Sequence, residues 1–220
     1  DDVNTVSFTP FYSNSIINMY MNYSVGAQAG ADFYFRFAYL PSGGSDTEIE
    51  RTGIQRVNDA QDAFAFVRKN ADKFGINPNQ IAASGGSAGG HLAASLGTLK
   101  DEKHNELSKP NALILFNPVC VVDPIKKPWN IDRLGVKGYE ISPYHNVDTT
   151  VPPTIIYHGT EDRLVPYKTA DMFHEKMLAT GNDCTLIPFE GRDHGFFNHG
   201  KHLRDYFMKQ YVLKAAIGEW

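Results

Sequence analysis

A serine between glycines is the first feature of this sequence that could carry out covalent chemistry. The run Gly85-Gly86-Ser87-Ala88-Gly89 fits the pattern G-x-S-x-G, in which a serine occupies a sharp turn between a strand and a helix. Small neighbours are needed because two chain segments pass closely there, and the helix start favours developing negative charge. A glycine-rich turn with a serine is often only a turn. Here it falls between an apolar run ending at Ser84 and a predicted helix, which favours Ser87 as a nucleophile.

A serine nucleophile needs a base, and the base needs a carboxylate that orients it. Asp162 follows the predicted strand that ends at His158, and His194 follows the next one, which ends at Phe189. The chain order Ser, Asp, His is the one that accompanies the G-x-S-x-G turn. Taken singly, a loop aspartate usually caps a turn, and a histidine is more often structural. Together the three residues predict a catalytic triad of Ser87, Asp162 and His194.

Other titratable residues near these positions have simpler interpretations. Glu161 and Asp193 are rival acids that we interpret as solvated loop charges, and His91 and His158 as structural residues. The histidines, cysteines and acids show no spacing typical of a metal site, so no metal is expected. The run from Gly85 to Gly90 lacks the lysine of a phosphate-binding loop, and no cofactor is expected.

The elements that must position the triad alternate between apolar strands and amphipathic helices. In a helix predicted over Arg56–Phe74, apolar residues recur at intervals of three and four. The other predicted helices are Ala88–Leu99, Tyr167–Thr180 and Leu203–Ile217, and the predicted strands are Asp32–Leu40, Gln80–Ser84, Ala112–Phe116, Thr154–His158 and Thr185–Phe189. This alternation indicates an α/β fold with a mostly parallel sheet and helices on both faces. Ligands in such folds bind beyond the carboxyl ends of the strands, so the chemistry is expected in the loops that follow them.

The chain is expected to form a single domain over residues 1–220, since no linker divides it. A proline-rich stretch, 118–153, is interpreted as a cap-like insertion over the active site. Its aromatic residues Trp129, Tyr139 and Tyr144 could stack on a sugar or an aromatic acyl group, or simply pack the loop onto the domain.

Composition excludes several classes of function. The 220 residues are 42% hydrophobic and 21% charged, with a net charge of −4, which suits a globular protein and offers no surface for nucleic acid. No apolar run approaches the roughly 20 residues of a membrane span. Cys120 and Cys184 make no disulfide framework and are expected to be buried free thiols. A soluble protein is expected, and secreted, periplasmic and cytoplasmic locations remain open.

Several longer runs resemble one known family. The run GGSAGGHLAAS (Gly85–Ser95), with ADKFGINPNQIAASGG leading into it, resembles the esterase/lipase branch of the α/β-hydrolases related to hormone-sensitive lipase. The runs SPYHNV (Ser142–Val147), PPTIIYHGTEDRLVPY (Pro152–Tyr167) and FEGRDHGFFN (Phe189–Asn198) resemble the same group, particularly bacterial carbohydrate esterases of the acetyl-xylan and feruloyl type. The resemblance covers roughly Val57–Tyr211.

This resemblance implies the α/β-hydrolase fold and hydrolysis of esters through an acyl-enzyme. It implies Ser87 as nucleophile, Asp162 as triad acid, His194 as base and the backbone N–H of Ala88 as one oxyanion donor. It also implies small-molecule or carbohydrate esters of short acyl groups as substrates, and no cofactor.

The N-terminal part departs from the family. A His-Gly-Gly-Gly-type loop, which would supply the second oxyanion donor, should lie within Val3–Tyr12 and is absent. The first strands of the fold are expected to be shortened or missing, and residues 1–31 to form a divergent segment. Three explanations remain open: the chain is the C-terminal part of a longer domain, another group is the second donor, or the chain is a degenerate relative.

The apolar run over Val3–Tyr23 is expected to pack against the sheet, within the chain or across a homodimer.

Two alternatives to an esterase follow from these observations. The absent glycine loop suggests a catalytically impaired binding protein that keeps the fold and a vestigial triad. A serine peptidase of the prolyl-oligopeptidase type shares the order of the triad, but predicts a large additional propeller or cap domain for which 220 residues leave no room.

Overall fold

The structure is a computed structural model that describes residues 16–23, 31–38, 53–122 and 138–196, the first two ranges as backbone only. Its strands are β1 (Ile16–Tyr23), β2 (Ala31–Ala38), β3 (Ile81–Gly86), β4 (Ala112–Phe116), β5 (Thr154–Gly159) and β6 (Cys184–Phe189). Its helices are α1 (Gly53–Lys69), α2 (Ala71–Phe74), α3 (Ala88–Thr98), α4 (Gly138–Ile141) and α5 (Tyr167–Ala179), with a 3₁₀ turn at Pro143–Asn146. The predicted helix Leu203–Ile217 lies outside the described residues.

The strands form one sheet in the order β2-β1-β3-β4-β5-β6. Strands β3 to β6 run parallel, whereas β1 pairs antiparallel with both β2 and β3. The predicted mostly parallel sheet is therefore confirmed.

Strand β1 was not predicted, although it belongs to the N-terminal segment that was expected to pack against the sheet. Residues 16–23 do so within the chain, with Ile17 opposite Gly85 and Met21 opposite Ile81.

The two faces of the sheet are covered differently in the described residues. Helices α1, α3 and α5 share one apolar cluster with alternate side chains of β3 to β6. The opposite face carries a smaller cluster around Ile114 and Tyr157, to which Phe196 contributes from beyond β6. Helices are thus described on one face only, and a helix on the second face remains a prediction that depends on Leu203–Ile217.

The predicted helix over Arg56–Phe74 is two helices in the structure, because the helix is interrupted at Asn70. The Asn70 side chain donates to Phe66 O at 2.8 Å, and its backbone N–H reaches both Phe66 O and Val67 O. An asparagine that bonds to the local backbone competes with the helical pattern, so α1 ends and α2 begins with a new turn. The periodicity of the apolar positions continues across this break.

Only part of the cap-like loop 118–153 is described, and that part packs on the core. Ile141 is buried in the main cluster, and Tyr144 packs against the same cluster. Tyr139 is 41% exposed, with its ring edge-on to His145. Tyr144 is therefore a packing residue, while Trp129 lies outside the described residues.

Cys120 and Cys184 are free and buried, as expected from the sequence. Burial raises the pKa of the Cys184 thiol to about 12. None of the helices in the described ranges combines the length and the apolar character that crossing a bilayer requires.

Candidate active site

Four polar residues follow the carboxyl ends of the four parallel strands, at one edge of the sheet. Ser87 comes after β3, Asn117 after β4, Asp162 after β5 and His194 after β6. Parallel strands bring these ends together, which is why ligand sites in open α/β sheets lie at this edge.

The turn that holds Ser87 has a strained backbone and close chain contacts. Ser87 has φ 55 and ψ −120, a left-handed conformation that is uncommon outside glycine. Its N–H donates to Phe116 O at 2.9 Å, which fixes the turn to β4. A Cβ on Gly85 would lie 2.3 Å from the backbone carbonyl of Gly89, so only glycine fits at that crossing. The sequence requirement for small residues therefore has a direct steric cause.

The structure brings the three residues of the predicted triad into one chain of hydrogen bonds. His194 Nε2 lies 2.7 Å from Ser87 Oγ, and His194 Nδ1 lies 2.7 Å from Asp162 Oδ2. An ionised carboxylate only accepts, so Nδ1 carries the proton and Nε2 is free to accept the serine proton. The His194 side chain is 18% exposed and that of Asp162 is fully buried. This arrangement is suited to transfer of a proton from Ser87 Oγ to the imidazole.

Backbone donors hold the Asp162 carboxylate in place. Its Oδ1 accepts the N–H groups of Leu164 at 2.9 Å and Val165 at 2.8 Å, which leaves Oδ2 for His194. His158 Nε2 lies 3.4 Å from the same Oδ2. Both oxygens of this fully buried carboxylate therefore have hydrogen-bond partners.

His158 and His91 make the contacts of structural residues. His158 Nε2 donates to Val165 O at 2.8 Å, and His91 Nε2 donates to Ile141 O at 2.7 Å. Burial lowers the pKa of His158, and it also lowers the pKa of His91. Each imidazole is therefore held neutral, with Nε2 as the protonated nitrogen.

The rival acids Glu161 and Asp193 are exposed, as expected for solvated loop charges. In residues 53–122 and 138–196, no three His, Cys, Asp or Glu side chains are grouped so that they could hold a metal ion.

Ala88 is the first residue of α3, directly after the nucleophile turn. The N–H groups of a helix's first turn have no acceptor within the helix and point toward its N-terminal end. The role of the Ala88 N–H as an oxyanion donor stays a prediction. The stretch expected to hold the second donor, Val3–Tyr12, lies outside the described residues.

Asn117 is a polar residue at this edge that the sequence analysis did not single out. It has φ 41, is fully buried, and contacts the loops of both Asp162 and His194. The available signal was its place directly after the apolar run of β4 and directly before Pro118.

Two family models match successive parts of the chain. The model described as BD-FAE matches residues 50–123, and the model described as the prolyl oligopeptidase family matches residues 125–216. The boundary between them falls after β4.

Curated relatives and solved structures are also similar to the chain. An acetylxylan esterase of Xylanibacter ruminicola is 34% identical over 175 residues, which are 74% of this chain and 35% of the relative. The α/β-hydrolase domain-containing protein WAV2 of Arabidopsis thaliana is 27% identical over 73% of this chain and 53% of the relative. The chain thus spans about a third of the first relative and half of the second.

Among solved structures, the apo form of Thermogutta terrifontis esterase 2 superposes with a TM-score of 0.73 at 37% identity. The alignment covers 86% of this chain and 72% of that one.

Proposed function

The chain belongs to the α/β-hydrolase family of esterases, and from that membership we propose that it is a carboxylic-ester hydrolase that works through an acyl-enzyme on Ser87. The observation that carries this proposal is the continuous hydrogen-bond chain from Ser87 Oγ through His194 to Asp162, with 2.7 Å at each step.

In the proposed reaction, Ser87 Oγ attacks the carbonyl carbon of the ester while its proton moves to His194 Nε2. The carbonyl oxygen becomes an oxyanion, and the Ala88 N–H at the start of α3 donates to it. Collapse of the tetrahedral intermediate breaks the bond to the leaving alcohol, which takes the proton from Nε2. Water then attacks the acyl-enzyme, with the same imidazole as base, and releases the acid and Ser87. Asp162 holds the imidazole in one tautomer and stabilises its cationic form.

Replacing the nucleophile is the direct test. Ser87→Ala should lower kcat for p-nitrophenyl acetate by at least about 10⁴-fold, because no other group supplies the attacking oxygen. Ser95→Ala is the matched control: Ser95 is fully buried two turns further along α3, and its Oγ donates to His91 O. Equal hydrolysis by wild type and Ser87→Ala would disprove the assignment of the nucleophile.

A covalent probe separates the esterase from a binding protein that retains the fold. A fluorophosphonate should label Ser87 in the wild type and no residue in the Ser87→Ala variant. The reason is that the same activated serine oxygen attacks the phosphorus of the probe. A folded wild-type protein that neither reacts with the probe nor turns over any ester would favour the binding protein.

We further propose short acyl groups on carbohydrate as the substrate class. Similarity to an acetylxylan esterase supports this choice. Acetylated xylan, methyl ferulate and p-nitrophenyl esters of increasing chain length form the test panel. Preference for acetyl and other short acyl groups is expected, and preference for long acyl chains would contradict the proposal.

A peptidase is a second candidate because the prolyl oligopeptidase family model matches residues 125–216. Peptide p-nitroanilides with proline before the scissile bond distinguish it from the esterase. The esterase proposal predicts turnover of acetyl esters at rates far above those for the anilides, and the peptidase predicts the reverse.

A further inference from the structure

The side-chain amide of Asn117 lies between the two loops that carry the triad acid and the triad base. Its Oδ1 accepts the N–H of Gly159, at the start of the Asp162 loop, at 2.9 Å. Its Nδ2 donates to His194 O at 2.8 Å and to Asp193 O at 3.2 Å. The orientation of the amide is fixed, because the N–H of Gly159 needs an acceptor and the two carbonyls need donors.

The end of β4 reaches the nucleophile as well. Phe116, which directly precedes Asn117, accepts the N–H of Ser87 at 2.9 Å. The Asn117 N–H donates to Tyr157 O at 2.8 Å, which continues the pairing with β5. Two adjacent residues therefore contact the loops of all three predicted triad members.

The backbone of Asn117 limits which residue can make these contacts. Its φ of 41 is left-handed, a region that asparagine and glycine tolerate better than other residues. Glycine would fit the backbone but would leave the N–H of Gly159 and the two carbonyls without this partner. Aspartate would keep the acceptor and would place a negative oxygen against the two carbonyls.

The loops also touch each other without Asn117. The Glu161 N–H donates to Arg192 O at 3.0 Å, and the Gly191 N–H donates to Thr160 Oγ1 at 2.9 Å. Loss of the Asn117 amide should therefore displace His194 relative to Asp162 more than it unfolds the site.

We propose that Asn117 is a positioning residue that holds the His194 loop against the Asp162 loop and so aligns the imidazole between Ser87 and Asp162. Its kinetic consequence rests on the proposed esterase function, whereas its effect on the His194–Asp162 hydrogen bond does not. A misplacement of about 1 Å in a catalytic group costs on the order of 10²-fold in rate.

The test compares Asn117→Asp and Asn117→Gly with Asn182→Asp. Asn182 is a matched control because it is also a buried asparagine whose Nδ2 donates twice, to Asp148 O at 2.6 Å and to Thr180 Oγ1 at 2.8 Å. It precedes β6, at the edge of the sheet opposite the triad. For each variant, kcat and KM for p-nitrophenyl acetate, the urea midpoint of unfolding, and the far-downfield proton resonance of the His194–Asp162 hydrogen bond are measured.

Both Asn117 variants should lower kcat about 10- to 100-fold with KM nearly unchanged, and should weaken or abolish the downfield resonance. Asn182→Asp should lower the urea midpoint while kcat and the resonance stay as in wild type. Wild-type kcat and resonance in the Asn117 variants would overturn the proposal, as would an equal loss of kcat in folded Asn182→Asp. Failure of Asn117→Gly to fold would also overturn it, because the role would then be structural.

If wild type neither hydrolyses esters nor reacts with a fluorophosphonate, the proposed function fails and the resonance alone decides the role of Asn117. A resonance that is present in wild type and lost in Asn117→Gly supports positioning; one that persists contradicts it.

Discussion

The carboxylate of Asp162 determines which nitrogen of His194 can act on Ser87. Its Oδ1 is occupied by the N–H groups of Leu164 and Val165, so only Oδ2 faces the imidazole. Because that oxygen accepts a hydrogen bond from the protonated Nδ1, Nε2 is the unprotonated nitrogen, and its lone pair is directed at Ser87 Oγ, 2.7 Å away. In the proposed mechanism, proton transfer from the serine thus depends on the orientation of one buried side chain.

Asp162→Asn should therefore impair turnover without removing a hydrogen-bonding side chain. The amide oxygen would take the two backbone N–H groups, and the amide NH₂ would face His194 Nδ1, which favours the wrong tautomer. A loss of kcat of about 10⁴-fold is expected, the size known for this change in a serine protease triad. Asp171→Asn, which removes only the surface pair with Lys168, is the control and should leave kcat unchanged. A similar kcat in Asp162→Asn and wild type would exclude Asp162 as the triad acid.

The buried histidines make stability depend on pH in one direction. Burial lowers the pKa of His158 and of His91 in the folded state, so the unfolded state binds more protons as the pH falls below about 6.5. Their contribution is fully present above that pH and is lost as the pH falls toward the lowered folded-state values. The free energy of unfolding, measured with urea from pH 7 to pH 5, should decrease on acidification.

His158→Gln should make that decrease shallower by up to about 1.4 kcal/mol per pH unit, the value for one proton. The double variant with His91→Gln should be shallower still. If both variants keep the wild-type slope, other groups cause the loss of stability in acid.

At the scale of elements, the close contact between β3 and α3 positions Ser87, the proposed nucleophile. The strand ends at Gly86 and the helix begins at Ala88, which leaves Ser87 alone to make the turn. A strained backbone persists only where surrounding contacts hold it, and here the N–H of Ser87 is bonded to Phe116 O. The close approach of Gly85 to Gly89 is a second requirement of the same turn.

Gly85→Ala should destabilise the protein by about 3 kcal/mol, because the added methyl group meets backbone atoms that no side-chain rotation can move. Gly181→Ala is a suitable comparison: Gly181 has φ +81, and a Cβ there meets no atom within 4 Å. Its cost should be about 1 kcal/mol, from backbone conformation alone. Equal urea midpoints for the two variants would show that the crossing tolerates a side chain.

At the scale of the whole molecule, β1 lies inside the sheet. It pairs with β2 on one side and with β3 on the other. Strand β3, which precedes Ser87, is therefore not an edge strand of the sheet. Removal of β1 would expose the backbone of β3 and separate β2 from the sheet. An exposed edge of this kind promotes association between chains.

Deletion of residues 1–23 should therefore give aggregated or poorly soluble protein, whereas deletion of residues 1–15 leaves β1 in place and should retain the fold. Size-exclusion chromatography with light scattering distinguishes the two outcomes and gives the mass per particle, which tests the predicted homodimer. A soluble 1–23 deletion with unchanged mass, stability and esterase rate would mean that this segment is dispensable.

Most of the local elements, and the prediction of a triad in the order Ser, Asp, His, came from the sequence alone. Strand β4 was predicted at its observed bounds, and β3, β5, β6, α3 and α5 within two residues at each end. These elements are specified by short-range patterns: apolar runs, a 3.6-residue period, and glycines or prolines at their ends. The turn from β3 through Ser87 to α3 is also specified by a short-range pattern, because its small residues are required by contacts between residues close together in sequence.

The tertiary structure decided which residues from distant parts of the chain come into contact. Strand β1 was missed although its longer pairing is with β2, which follows it closely in the chain. Its position inside the sheet depends on a second pairing with β3, which begins some sixty residues later and which no local pattern indicates. The contacts of Asn117 with His194, and the position of His158 beside Asp162, likewise depend on which strand ends become neighbours in the sheet. The sequence determined which residues could react, and the order of the parallel strands determined which of them meet, since pairing between distant strands is fixed by the sheet as a whole.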